Sequence, residues 1–332
     1  MRTVDLFCGG GGMSLGFQNA GFEVIASFDN WERALNVYRN NFNHPANQID
    51  LSDVEAAIEA ITPLNPEVII GGPPCQDFSS AGKRDETLGR ADLTYRYADI
   101  VCAIQPNWFV MENVERIKKS HILQDVIEQF SNIGYGMTAV ILDASYCGVP
   151  QARTRFFLIG EMNGENNALR PIMVNSLTER PMTIRDYLGD SLGVDHYYRH
   201  PRNYSRRGVF SIDEPSPTVR GVNRPVPSGY KKHPGDPAHI SINKIRPLTT
   251  VERSYLQTFP RDFVLNGTKT DLEQIIGNAV PVNLATFVGS SILEYIGQKK
   301  PETQSIQEDM FQQEIEKKPI IMPHRRLHLE KN

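Results

Sequence analysis

The feature that most constrains the fold is a regular alternation of short apolar strands and helix-like segments across residues 2–134. Apolar runs such as "RTVDLF", "FEVIASFD", "PEVIIGG" and "PNWFVMENV" are each followed by segments such as "WERALNVYRNNF" and "HILQDVIEQFSNIG". This alternation predicts an α/β fold built on a parallel, doubly wound sheet. Sites in such sheets lie beyond the carboxyl ends of the strands, so we expect functional residues directly after the apolar runs.

A basic, irregular region follows this pattern. From about residue 161 to residue 244, Pro, Gly, Arg and Tyr accumulate and no helical periodicity survives. Between His196 and Gly235, eight Lys and Arg stand against Asp213 and Glu214, a net of +6 in a chain whose total charge is −4. Such an insert is typical of a lobe that meets a polyanion, although a solvated surface excursion would carry the same charge.

Helical periodicity returns in "LTTVERSYLQTF" and in "IGNAVPVNLATFVGSSILEYIG". The second segment has the length of one long packed helix. The polar, mixed-charge tail that begins at Lys299 predicts either an appended helix or a flexible end.

Composition argues against several classes of protein. No Cys-x-x-Cys pair is present, so no metal site is expected from the four cysteines, Cys8, Cys75, Cys102 and Cys147. No apolar run approaches the roughly 20 residues of a membrane helix. No charged-then-apolar leader precedes "RTVDLFCGG", so we expect a cytoplasmic protein that does not enter membranes.

The glycine loop in "DLFCGGGGMSLGF" lies between a strand and the start of a helix. Glycines at that place let backbone amides approach a ligand, which fits a dinucleotide phosphate or a nucleoside-sulfonium cofactor; a merely tight turn is a third reading. No Gly-Lys-Ser/Thr follows, which argues against a nucleoside-triphosphate loop. Asp29 could accept ribose hydroxyls and Trp31 could stack on a base or belong to the core. Asp50 could meet an adenine amino group or cap a helix.

A single thiol stands in "VIIGGPPCQDFSSAGKR", directly after an apolar strand. Pro73 and Pro74 restrict the backbone just before Cys75. A thiolate is the best protein nucleophile for an electron-poor carbon, whereas the usual fate of a free cysteine is a small buried hydrophobe. The Pro-Pro-Cys-Gln context favours the nucleophile.

Charged side chains follow two later apolar segments. Glu112 ends "FVMENV", where partial desolvation would raise its pKa and suit it to protonating a ring nitrogen; a helix cap is the alternative. Arg153 and Arg155 in "QARTR" precede "FFLIG" and could hold anionic or carbonyl oxygens, or form surface ion pairs.

Taken in order, these motifs closely resemble the DNA cytosine-5 methyltransferases of the bacterial restriction-modification type. The resemblance runs from about Thr3 to Ile292 and includes "DLFCGGGGMSLGF", "GGPPCQDFSSAGKR", "MENV", "QARTR", "RPLTTVERSYLQTFP" and "IGNAVPVNLA". It implies a Rossmann-like, S-adenosylmethionine-dependent methyltransferase sheet with a smaller, loop- and β-rich target-recognition domain. The implied divisions are a catalytic and cofactor domain over 1–165 completed by 270–298, a target-recognition domain with its hinge over 166–269, and a tail over 299–332.

The resemblance also implies the chemistry. Cys75 would add to carbon 6 of a flipped-out cytosine, and Glu112 would protonate ring nitrogen 3. Carbon 5 would then take the methyl group of S-adenosylmethionine. Arg153 would position the cytosine carbonyl, Arg155 would make a supporting or backbone contact, and Gln76 would begin the loop that closes over DNA.

Further residues are implied as ligands of the two partners. The implied cofactor contacts are Phe7, Gly9, Gly11, Gly12, Asp29, Asn30, Trp31, Asp50, Leu51, Pro73, Leu93, Asn278 and Val280. The implied DNA contacts are Ser79, Lys83, Arg84, Arg199, Arg202, Arg206, Arg207, Arg220 and Arg224. One departure concerns the ribose, because the family has an acidic residue directly before the aromatic one. Here Asn30 holds that place and Asp29 precedes it, so either could meet the ribose.

Alternatives remain at this point. The motif set also occurs in relatives that methylate tRNA, and a DNA-binding relative without activity would share the fold. A nicotinamide oxidoreductase explains the glycine loop but neither Cys75 nor the later motifs. We expect a monomer that acts on double-stranded DNA, beside a cognate restriction endonuclease in the same system.

Overall fold

The computed structural model describes residues 1–74, 92–201, 203, 205–237, 240–241 and 245–299. Its centre is a seven-stranded sheet in the order β3-β2-β1-β4-β5-β8-β6. The strands of this sheet are β1 (Arg2–Leu6), β2 (Glu23–Asp29), β3 (Ala46–Gln48), β4 (Val68–Gly71), β5 (Trp108–Val114), β6 (Tyr135–Asp143) and β8 (Thr154–Met162). The chain reverses direction of winding after β3, so the carboxyl ends of β1 and β4 flank a crevice.

The sheet is mixed, which corrects the prediction of a parallel one. Strands β1 to β5 are parallel to one another, but β8 runs antiparallel between β5 and β6. In this register Val114 pairs with Arg155 and Glu112 pairs with Phe157. The start of β8 therefore lies at the same edge of the sheet as the end of β5.

Helices cover both faces of the sheet, as a doubly wound fold requires. The helices of this region are α1 (Gly12–Ala20), α2 (Glu32–Arg39), α3 (Val54–Ile61), α4 (Asp92–Ile104), α5 (His121–Asn132), α6 (Arg170–Asn175), α9 (Lys269–Asn278) and α10 (Val282–Lys299). One apolar core packs β-strand residues with Tyr97 and Phe130, and the other packs them with Phe17 and Val288. The predicted doubly wound architecture is therefore confirmed.

The C-terminal helix α10 packs directly on α1. A Cβ atom on Gly16 would lie 2.4 Å from Ala285 Cβ and 2.5 Å from the Val282 carbonyl oxygen, so only glycine allows this close approach. The contact brings the end of the described chain back against α1, the helix that follows the glycine loop.

The segment predicted to be one long helix is two helices. Its first helix ends at Asn278, and Ala279, with φ and ψ of −55° and 142°, lies outside it. Pro281 disfavours helical geometry in Val280 and lacks an amide donor, which keeps the helix from continuing through this point. The stretch Lys269–Lys299 is apolar enough to cross a membrane, but 72% of its most apolar window is buried inside the protein, as in a core element.

A smaller unit is inserted between these elements. It contains α7 (Ile184–Leu188), β9 (His196–Tyr198), β10 (Val209–Ser211), β11 (Ser216–Pro217) and α8 (Thr250–Leu256), while β11 pairs with β7 (Gln151–Ala152). Its core includes Ile184, Phe210, Val219 and Leu256. Leu169 and Met173 around α6, which follow the boundary at 165 that the resemblance implied, pack in the core of the large sheet.

Candidate active site

The carboxyl ends of β1, β2, β4 and β5 and the start of β8 surround a cavity of about 630 Å³. This volume lies within the usual range for sites that bind drug-sized ligands. Twelve of the thirteen residues predicted to contact a cofactor line it, namely Phe7, Gly9, Gly12, Asp29, Asn30, Trp31, Asp50, Leu51, Pro73, Leu93, Asn278 and Val280. Glu112, Arg153 and Arg155 line it as well.

The glycine loop is held by the carboxylate of Asp29. The Gly9 amide donates to one carboxylate oxygen at 2.8 Å, and the Trp31 amide donates to the other at 2.8 Å. Burial raises the pKa of Asp29, against the opposing effect of these backbone bonds. Both oxygens of Asp29 thus accept a backbone amide, and the exposed Asn30 lies directly before Trp31.

Gly11 is the one predicted cofactor residue that does not line the cavity. It has a φ of 88° at the N-cap of α1, and a Cβ there would lie 2.4 Å from Phe42 and 3.0 Å from Tyr38. Its glycine is needed for backbone conformation and for packing behind the loop.

Asp5, at the floor of the cavity, was not predicted as a site residue. It is 1% exposed, and Ser14 donates to one of its oxygens at 2.5 Å. Its second oxygen, Oδ1, is buried without a hydrogen-bond partner in the described part of the chain. Desolvation raises the pKa of Asp5 to about 7. The sequence places Asp5 in the strand that precedes the glycine loop, which could have marked it as a site residue. Its burial could not be predicted in the same way, because it depends on tertiary packing.

Trp31 and Asp50, the two residues predicted to meet the adenine, also have contacts within the protein. Trp31 packs partly on the cluster of Ala34 and Ile275 while also lining the cavity. Its stacking on a base stays a prediction. Asp50 is exposed and accepts a hydrogen bond from the Ser52 amide at 3.0 Å. The helix-cap reading of Asp50 is wrong, because Asp53 caps α3.

Glu112 and Arg155 form an ion pair at the centre of the site. Arg155 Nε lies 2.8 Å from Glu112 Oε1, and their side chains are 14% and 12% exposed. They are diagonal neighbours on one face of the antiparallel pair β5–β8, because Glu112 is in register with Phe157. Burial raises the pKa of Glu112, an effect that Arg155 and Arg153 oppose.

Arg153 and Arg155 both make backbone contacts, and Arg155 Nη1 donates to the Thr154 carbonyl at 2.8 Å. The Arg153 guanidinium donates to the carbonyl oxygens of Val219 at 3.0 Å, Gly277 at 3.1 Å and Ala279 at 3.0 Å. Arg153 is 1% exposed. Within the protein, Arg155 pairs with the carboxyl group of Glu112, whereas Arg153 joins backbone segments. The roles predicted for the two arginines toward cytosine stay predictions.

The backbone that leads to Cys75 passes beside Glu112. A Cβ atom on Gly72 would lie 3.2 Å from Glu112 Oε2, and Asn113 donates to the Pro73 carbonyl at 3.3 Å. Asn113 was missed as a site residue although "MENV" contains it. Several predicted residues lie outside the described part of the chain, namely Cys75, Gln76, Ser79, Lys83, Arg84 and Arg202.

Three of the arginines predicted to contact DNA have guanidinium contacts within the protein. Arg199 donates to the Thr218 carbonyl at 2.7 Å, Arg220 donates to the His200 carbonyl at 2.5 Å, and Arg207 pairs with Glu214 at 2.5 Å. The remaining two described candidates, Arg206 and Arg224, are exposed. These two are the better placed for contact with an external partner.

The α/β sheet with its antiparallel strand β8, and the glycine loop and acidic residues at its carboxyl edge, define a Rossmann-like methyltransferase. The model of the family described as C-5 cytosine-specific DNA methylase matches residues 1–294. The chain belongs to this family and is a C-5 cytosine-specific DNA methyltransferase.

Individual relatives agree with this assignment. The chain is 64% identical over 301 residues to the type II methyltransferase M.HindV of Haemophilus influenzae, which covers 91% of this chain and 98% of the relative. It is 54% identical over 311 residues to the type II methyltransferase M.HgiDI of Herpetosiphon aurantiacus, covering 94% and 100%. The solved structure of the Dnmt2 methyltransferase of S. pombe superposes with a TM-score of 0.68 at 18% identity, covering 89% and 99%, and shows the same fold.

Proposed function

We propose that the protein transfers a methyl group from S-adenosylmethionine to carbon 5 of a flipped-out cytosine in one short duplex DNA sequence. We also propose that it is the modification enzyme of a type II restriction-modification system, as the names of its two relatives indicate for those proteins. The observation that carries the mechanism is the half-buried pair of Glu112 and Arg155 beside the segment that leads to Cys75.

The cavity fits S-adenosylmethionine. Its residues offer a ring for stacking at Trp31, an amide side chain at Asn30 and an exposed carboxylate at Asp50. The buried Oδ1 of Asp5 lacks a donor in the described chain, which suits a cationic ligand. When bound, S-adenosylmethionine supplies an electrophilic methyl group.

Cys75 is the proposed nucleophile. Burial raises the pKa of the thiols of the other three cysteines, Cys8, Cys102 and Cys147, so these are poor sources of thiolate. The Cys75 thiolate would form a bond to carbon 6 of cytosine, and the electron pair of the ring double bond would move to carbon 5. Carbon 5 would then bond the methyl group as the methyl–sulfur bond breaks, with S-adenosylhomocysteine as the leaving group. Loss of the carbon 5 proton to a base, return of the nitrogen 3 proton to Glu112 and expulsion of the Cys75 thiolate would restore the ring.

Glu112 would supply the proton that makes this addition possible. Its raised pKa keeps a fraction of the carboxyl protonated under conditions where an exposed glutamate is ionised. Donation to ring nitrogen 3 neutralises the charge that develops when the thiolate adds. Arg155, paired with Glu112, would direct its remaining donors to the cytosine carbonyl oxygen.

The smaller unit would bind duplex DNA and select the sequence. Contacts of its basic residues with phosphates would offset the few kcal/mol that base flipping costs. Arg206 and Arg224 are the described candidates with exposed side chains. A cytoplasmic monomer that works beside a cognate endonuclease, without contact between them, completes the proposal.

The test is methyl transfer from S-adenosylmethionine to long duplex DNA of mixed sequence, followed by single-base mapping of 5-methylcytosine. We expect methylation at one short motif and none with Cys75→Ser. Transfer to tRNA but not to DNA would contradict the substrate, and a Cys75→Ser protein as active as the parent would contradict the mechanism. Protection of the methylated DNA from an endonuclease encoded nearby would support the restriction-modification role.

A further inference from the structure

Helix α9 packs against both the large unit and the small unit of the protein. Ile275 packs with Val37 of the large unit, whereas the next residue, Ile276, packs with Val219 in the core of the small unit. Gly277 borders the active-site cavity. A shift of Ile275 against the large unit would therefore also move Ile276 in the core of the small unit, because both residues belong to one helical turn.

The small unit meets this helix by backbone contact at Gly277. A Cβ atom there would lie 2.2 Å from the Gly221 nitrogen, 2.4 Å from the Arg220 carbonyl carbon and 2.7 Å from the Gly221 Cα. All three atoms belong to the backbone of residues 219–223, here named the recognition segment because it leads from the buried Val219 towards Arg224. No side-chain rotation can relieve such a contact.

Two buried arginines fasten the recognition segment to the same helix. Arg153 donates to the carbonyl of Val219 at 3.0 Å and to that of Gly277 at 3.1 Å. Arg253 donates to the carbonyl of Arg220 at 2.5 Å and pairs with Glu273 of α9. Each arginine thus joins one carbonyl of the recognition segment to one residue of α9.

We propose that Gly277, with Arg153 and Arg253, is a positioning residue that fixes the distance between the recognition segment and the pair of Glu112 and Arg155. The consequence is that the choice of DNA site depends on the register of the recognition segment on α9. A misplacement of about 1 Å can cost about 100-fold in rate when reacting groups must be aligned. This inference rests on the proposed function.

Three glycine-to-alanine variants test it. Gly277→Ala must displace backbone, whereas Gly221→Ala, on the opposite side of the same contact, meets the exposed Gln274 side chain, with Oε1 at 2.4 Å. That side chain can rotate away. Gly297→Ala in α10 has no atom within 4 Å of the added Cβ and is the matched control.

The measurements are the dissociation constant of S-adenosylmethionine by calorimetry and mapped methylation of mixed-sequence duplex DNA. We expect Gly277→Ala to lose about tenfold or more in kcat/KM at the parent site and to discriminate less against sites with one changed base. Its S-adenosylmethionine affinity should stay within about threefold. Gly221→Ala should lose less, and Gly297→Ala should match the parent.

A Gly277→Ala protein as active and as selective as Gly297→Ala would overturn the inference alone. If the parent methylates no DNA, the proposed function fails and the inference falls with it. Should Gly277→Ala not fold, Arg153→Lys gives the second test, because lysine presents one nitrogen where arginine presents two. We expect Arg153→Lys to discriminate less against sites with one changed base. If this variant lost S-adenosylmethionine binding in parallel, Arg153 would have only a structural role and the inference would be overturned.

Discussion

Arg155 Nε lies 2.8 Å from Glu112 Oε1, across two neighbouring strands that run in opposite directions. The pair sets a permanent cation beside a carboxyl group whose pKa is nevertheless raised by burial. Glu112 can therefore donate a proton while Arg155 keeps its charge, and both side chains lie on paired strands of the sheet.

Replacement of Glu112 by glutamine is expected to slow methyl transfer by about 100-fold to 10,000-fold, because the amide can hydrogen-bond but cannot protonate the ring. Single-turnover kinetics with saturating S-adenosylmethionine and DNA would measure the effect. For the parent, the protonated fraction of Glu112 falls as pH rises through its raised pKa, so the rate should fall in that direction. A rate that is independent of pH in the parent would contradict the role of Glu112 as an acid.

Substitution of Arg155 is expected to lower the reaction rate, whereas substitution of Arg153 is expected to lower stability. Arg155→Lys should lower the methyl-transfer rate about tenfold or more with little change in stability, because Arg155 lines the cavity and, in the described part of the chain, its guanidinium contacts only Glu112 and the adjacent Thr154 carbonyl. Arg153→Met should lower the free energy of unfolding by about 1–3 kcal/mol for each carbonyl group left without a donor. Urea unfolding beside single-turnover assays separates the two. Equal losses of stability in both variants would contradict the inference that Arg153, rather than Arg155, joins distant backbone segments.

Asn30→Asp is expected to tighten S-adenosylmethionine binding about fivefold, because a charged acceptor makes a stronger hydrogen bond to a ribose hydroxyl. Asp29→Asn should weaken binding, since both carboxylate oxygens of Asp29 hold the glycine loop. Calorimetric titration measures both constants. The assignment of the ribose to Asn30 would be wrong if Asn30→Asp bound no better than the parent.

Asp5 is expected to make stability depend on pH. Its folded pKa of about 7 lies above the usual 3.8, so its contribution to stability is fully present below pH 3.8 and is lost as pH rises to about 7. The free energy of unfolding should fall by about 1.4 kcal/mol per pH unit within this window, relative to Asp5→Asn. Denaturant titrations of both proteins from pH 5 to pH 8 give the comparison, and parallel pH profiles would contradict it.

The strand-helix alternation predicted the doubly wound sheet and the edge at which the site lies, because apolar periodicity is a local property. The direction of β8 was missed, since "FFLIG" reads the same in a parallel or an antiparallel neighbour. The antiparallel direction of β8 also decides that Arg155 is the arginine that pairs with Glu112. Alternation in "QARTR" places both arginines on one face of the strand, and only packing against Val219 and Gly277 separates their roles.

Other features depended on contacts distant in sequence. The family pattern carried Gly11 into the cofactor set, but the rings of Tyr38 and Phe42 occupy the space where its side chain would be. The break before Pro281 could be inferred from the proline itself, although the flanking apolar residues favoured one continuous helix. The buried state of Asp5 has no sequence signal.

The packing of α10 against α1 means that the cavity is assembled from the two ends of the described chain. During translation, the sheet strands and the basic unit emerge before Asn278, Ala279 and Val280, which close the cavity. A nascent chain that ends before Asn278 therefore lacks both these cavity residues and the part of one sheet core that Val288 provides. We expect catalytic competence to be acquired only after α10 has left the ribosome, so that an incompletely synthesised chain cannot modify DNA.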